Sequence, residues 1–88
     1  MREDQTMARF TPPTPRSRRL GRELRRLREA KGWKMEDAAR HLRCSTSRIS
    51  RIESGDIKAK PGDVMELLVA YDIGLDGEPG ASLLALAR

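Results

Sequence analysis

The sequence predicts an all-α fold of five short helices, and three observations carry that prediction. Apolar residues recur at three- and four-residue spacing in five separate segments. Gly, Pro or Ser stands in each gap between them. A chain of 88 residues has room for one small domain, whose core must be assembled from such stripes.

Residues 1–16, which include "FTPPTP", hold three prolines and no helical period, and read as a disordered leader. Residues 17–78 read as the folded domain. Its first helix is "RSRRLGRELRRLREAKG", with Ser17 as N-cap and Leu20, Leu24 and Leu27 on one face. Gly32 supplies a left-handed stop. The other faces are nearly all Arg, and Gly21 weakens the helix by ~1 kcal/mol relative to Ala.

"MEDAARHLR" predicts a short second helix, with Glu36 and Asp37 suited to the positive end of its dipole. Ala38, Ala39 and Leu42 form its inner face, and two alanines let another helix pass close by. His41 is expected to face water. Ser45 caps a third helix that runs to Ser54 and ends at Gly55. Only "RCS" separates Leu42 from that helix, so the two must cross steeply in a helix-turn-helix arrangement. The third helix offers the core only Ile49 and Ile52. The rest of its surface is Ser, Thr and Arg, a composition that faces something polar.

A fourth helix follows from Pro61 in its first turn and Val64, Leu67, Leu68 and Tyr71 at core spacing. Residues 79–88 read as a fifth helix that is apolar nearly all round. Four helices of this size already close a core, so part of the fifth is expected to stay exposed. Such a surface marks self-association or the docking of a further C-terminal domain.

Charge narrows the function. Residues 16–52 carry thirteen Lys/Arg against Glu23, Glu29, Glu36 and Asp37, a net of +9, whereas residues 53–88 carry a net of −4. A basic third of that density suits a polyanion. One Cys and one His make neither an internal disulfide nor a zinc site, and few aromatics argue against a single-strand stacking platform. No apolar run approaches a membrane span, and a cytoplasmic, reducing setting is the simple inference. No nucleophile–base pair, metal cluster or phosphate-cradling glycine loop is visible, so neither an enzyme, a cofactor nor a metal is expected.

"MEDAARHLRCSTSRISRIESG" resembles the helix-turn-helix of the Cro/cI repressor class, the XRE family. Ala39 stands at the tight crossing, Leu42 before the turn, Ile49 and Ile52 as inward anchors, and Glu53 to Gly55 at the ending. "LGRELRRLREAKG", "SRISRIESG" and "LLALAR" are similar to an actinobacterial branch of transcriptional regulators. The resemblance covers about residues 18–88 and implies a compact five-helix, lambda-repressor-like DNA-binding domain. Two positions depart from the pattern. Arg43 stands where the family often has Gly, at a cost of about 1–2 kcal/mol for the left-handed backbone. Lys34-Met35 replaces the usual Thr or Ser followed by Gln, and removes a hydroxyl cap.

The resemblance implies roles residue by residue. Thr46, Ser47, Ser50 and Arg51 fall where the third helix meets base edges in the major groove, with Arg51 suited to guanine O6 and N7. Lys34, Ser45 and Arg48 would contact phosphate. So would Arg16, Arg18 and Arg19, which could also follow the minor groove as an arm. Arg28 and Glu53 match a structural ion pair. Trp33 and Cys44 read as packing residues. The function expected is sequence-specific binding of double-stranded DNA by a nucleoid-associated regulator, a repressor by resemblance, acting as a homodimer on two half-sites. An antitoxin-like protein that binds a partner and autoregulates its operon uses the same domain. A basic RNA-binding module fits the charge but not the helix spacing.

Overall fold

The computed structural model describes residues 14–88. The described residues form α1 (Pro15–Lys31), α2 (Met35–Leu42), α3 (Thr46–Ser54), α4 (Pro61–Ala70) and α5 (Gly80–Ala87). Residues 1–13 of the expected leader lie outside them. The remainder of that leader is not a leader: Thr14, rather than Ser17, is the N-cap, and Pro15 and Arg16 are already helical. A reciprocal pair moves the start. The Ser17 N–H donates to Thr14 Oγ1 at 3.0 Å, and the Thr14 N–H donates to Ser17 Oγ at 3.1 Å. Two amides that the helix cannot satisfy are thereby bonded, and Pro15 at the first position has no N–H to leave open.

Leu20, Leu24 and Leu27 turn inward from α1, which packs against α3 on one side and α5 on the other. Gly32 ends α1 with φ 83°. Ala38 and Ala39 are buried in α2, which crosses α3 and also meets α4. The turn between them runs through Arg43 at φ 57° and ψ 47°, the left-handed conformation required at this corner. Its strain is offset by closure of the helix end, where the Cys44 N–H donates to the Ala39 carbonyl at 2.9 Å. Val64, Leu67, Leu68 and Tyr71 complete the core from α4.

Gly21 has a packing reason that the sequence did not disclose. A Cβ there would fall on the carbonyl oxygens of Ile52 and Glu53 and lie 2.7 Å from the Glu53 carbonyl carbon. The absent side chain lets the α1 backbone rest on the α3 backbone.

The last helix also departs from expectation. Leu83, Leu84 and Ala87 are buried, and Leu86 packs partly against the same core. Helix α5 lies between α1 and α4, so nearly its whole apolar girth is covered, and Ser82 and Ala85 face out. Residues 79–88 therefore share one core with residues 17–78. Arg16 fastens the arrangement: its Nε donates to the Leu86 carbonyl at 3.1 Å and its Nη2 to the Ala85 carbonyl at 2.6 Å. Among the described residues, the large apolar side chains left exposed are Met65 and Val69, both on α4. No helix among these residues is long and apolar enough to cross a membrane.

Candidate nucleic-acid interface

The candidate surface is the outer face of α3. Ser45 sets its start by accepting the Arg48 N–H at 3.1 Å, and Gly55 at φ 83° sets its end. Ile49 and Ile52 anchor it at 1% and 2% exposure. With those two fixed inward, helical geometry turns Thr46, Ser47, Ser50 and Arg51 outward, and all four are exposed. They fall three or four residues apart and so line one continuous face. That face carries hydroxyls and a guanidinium, and no acid occurs between residues 45 and 52.

The helix is held from behind by Arg28 and Glu53. Arg28 Nε donates to Glu53 Oε2 at 2.7 Å and Nη2 to Oε1 at 3.1 Å, with the side chains 7% and 5% exposed. The hydrogen bond to Glu53 pushes the Arg28 pKa further up. Arg28 Nη1 also donates to the Trp33 carbonyl at 2.8 Å, so one guanidinium joins α1, the link to α2, and α3. Arg28 is thus turned inward and is no part of the outer surface.

Lys34 occupies the N-cap of α2, where its side chain makes no capping bond. Asp37 serves the cap instead, accepting the Lys34 N–H at 2.8 Å through Oδ2 and Arg40 Nη2 at 2.8 Å through Oδ1. The Lys34 amide first, and then Arg40, hold its carboxyl below the ordinary aspartate range. The exposed Lys34 ammonium extends from an end of α2. Arg18 and Arg19 are exposed on α1, and Gly55 packs against the Arg18 backbone.

Two of the expected phosphate contacts are already engaged. Arg16 spends its guanidinium on the α5 carbonyls, as described above. Arg48 Nη2 forms an ion pair with Asp63 Oδ2 at 2.8 Å, with the two side chains 28% and 25% exposed. The Asp63 carboxylate beside it pushes the Arg48 pKa up. This pair sets the first turn of α4 beside α3. Lys58 and Lys60, both exposed in the link between α3 and α4, are two further cations beyond those expected from the sequence. Their signal was present: two lysines in the short link between the Gly55 stop and Pro61.

Among the described residues no group of His, Cys, Asp and Glu could hold a metal ion. A family model described as a helix-turn-helix domain matches residues 19–79, more than half of the chain. No curated protein matches the sequence.

Proposed function

The chain belongs to the helix-turn-helix domain family, of the XRE/Cro-like DNA-binding type, and we propose that it is a transcription regulator that reads a specific double-stranded DNA site as a dimer on two half-sites. The observation that carries this reading is the acid-free outer face of α3, capped by Ser45 and braced by the buried Arg28–Glu53 pair. A rigid helix with an exposed polar and cationic face fits the major groove, where base edges present donors and acceptors.

In this reading Arg51 pairs with a guanine edge, the Thr46 methyl meets a thymine methyl, and Ser47 and Ser50 add weaker hydroxyl contacts. Lys34 and Ser45 grip phosphate at the helix starts, and Arg18 and Arg19 extend the grip along α1. Lys58 and Lys60, exposed in the link after α3, add two further cations to it. Arg16 has no part in it, because its guanidinium is committed to α5. The setting is cytoplasmic, where duplex DNA and a free Cys44 thiol coexist.

The test compares a site selected from random duplex DNA with a mixed-sequence duplex. Arg51→Ala is expected to cost ~1–3 kcal/mol on the selected site and to relax its preference, with little change on mixed sequence. Equal losses on both would remove Arg51 from base reading. An unmodified chain whose affinity ignores salt would remove nucleic-acid binding altogether. Sedimentation at several concentrations, with and without the selected duplex, reads the dimer.

A further inference from the structure

Two arginines stand on the same short helix, yet only one is presented to the outside. Arg51 is exposed on the outer face. Arg48, one turn earlier, lies along the flank with its guanidinium on the Asp63 carboxylate at 2.8 Å and about a quarter exposed. We propose that Asp63 is a specificity-determining positioning residue: it holds Arg48 against the side of α3 and keeps one cation away from the DNA backbone. The inference rests on the DNA-binding reading above and deepens it.

The argument is one of charge and reach. Nonspecific affinity for duplex DNA scales with the number of phosphates that Lys and Arg neutralise, since each neutralised phosphate releases counterions. A guanidinium at the third position of the recognition helix would add one such contact at every sequence alike. Paired with Asp63, it adds no net charge. For a phosphate to capture Arg48, the Asp63 carboxylate must either lose its partner beside the DNA or stay next to the phosphate that replaced it. Both arrangements set like charges together. Asp63 cannot readily swing away, because it lies in the first turn of α4, where the helix dipole also favours its charge. Discrimination then falls to the exposed set on the outer face, and general adhesion is kept down.

The experiment measures salt-dependent binding of the full chain to a mixed-sequence duplex and to a site selected from random DNA. The variants are Asp63→Asn, Arg48→Ala and the double substitution. Asp63→Asn keeps the shape and an acceptor but removes the charge. The expected result is several-fold tighter binding to mixed sequence and a lower ratio of selected to mixed affinity. The slope of log K against log salt should also steepen by about 0.9 per bound protomer, the value for one added phosphate contact in each. Arg48→Ala alone leaves an unpaired carboxylate and should weaken binding to both duplexes. Adding Asp63→Asn to it should restore affinity to near that of the unmodified chain.

An Asp63→Asn slope equal to that of the unmodified chain, or weaker binding to mixed sequence, would overturn the role given to Asp63. A double variant no better than Arg48→Ala would do the same. A folding defect cannot imitate the expected result, since loss of folded protein lowers affinity and leaves the slope of the remainder unchanged. An unmodified chain that binds no duplex overturns the DNA-binding reading itself, and with it this inference.

Discussion

Glu53 accepts two hydrogen bonds from one guanidinium at a position almost closed to water, so its removal strands a buried cation. Glu53→Ala is expected to cost ~3–5 kcal/mol, the range for breaking rather than replacing a buried pair. Urea unfolding followed by circular dichroism would read the loss as a lower midpoint. The matched positions of Arg28 and Glu53 were legible in the sequence, but the extent of their burial was not, because it depends on how closely α1 lies on α3. Tyr71 is the chain's one tyrosine, 5% exposed, and its hydroxyl has no hydrogen-bond partner. Burial first, and then the Glu53 charge, push its pKa well above the ordinary phenol value. A raised pKa on an acid favours the neutral form in the folded state. The associated stability is therefore complete below the unfolded pKa of about 10 and is lost as pH rises above it. Tyr71→Phe should leave stability at pH 7 unchanged or slightly higher, since a buried hydroxyl without a partner contributes nothing. The variant should lose less than the parent between neutral and strongly alkaline pH, as thermal melting at each pH would show.

At the scale of the helices, local residues suffice for most of the starts and stops. Ser45 before α3, Gly32 and Gly55 after α1 and α3, and the left-handed Arg43 each follow from a few neighbouring residues and backbone sterics. The start of α1 departs from the expected Ser17 cap because two hydroxyls compete for one cap, and the capping box uses both, with Thr14 outside and Ser17 inside. Gly21 shows the opposite limit. By propensity it is a defect, yet its reason lies in the carbonyls of another helix far along the chain. Gly21→Ala gains ~1 kcal/mol in helix propensity. It must also push α1 away from α3, an overpacking cost of ~1–3 kcal/mol. A net destabilisation is expected, and a higher melting temperature for Gly21→Ala would show that the two backbones part easily. The fifth helix was expected to stay partly exposed because its apolar count exceeds what one face can absorb. It is covered because it enters between two helices rather than lying on one.

Across the whole molecule, the ion pairs sort by origin. The long-range pairs among the described residues, Arg28–Glu53, Lys31–Asp72 and Arg48–Asp63, each join a cation from residues 16–52 to a carboxylate from residues 53–88. The opposite charges of the two segments were plain in the sequence; which cations are neutralised on folding was not, since that requires the helices to be set side by side. The candidate site was legible to the same degree. The outward placement of Thr46, Ser47, Ser50 and Arg51 follows from the phase set by Ile49 and Ile52, and their assignment to base edges is what the resemblance implies, whereas the engagement of Arg48 and Arg16 depends on partners elsewhere in the chain. Arg16 carries a consequence for kinetics. Its bonds to the Ala85 and Leu86 carbonyls span sequence separations of 69 and 70, nearly the full described chain. A contact of that reach closes a loop of nearly the full described length, and loops of that size form late. The first turn of α1 and the last turn of α5 should therefore open and close as a unit. Their amides should exchange with deuterium together and ahead of those in α2 and α3, and Arg16→Ala should quicken exchange at both ends at once.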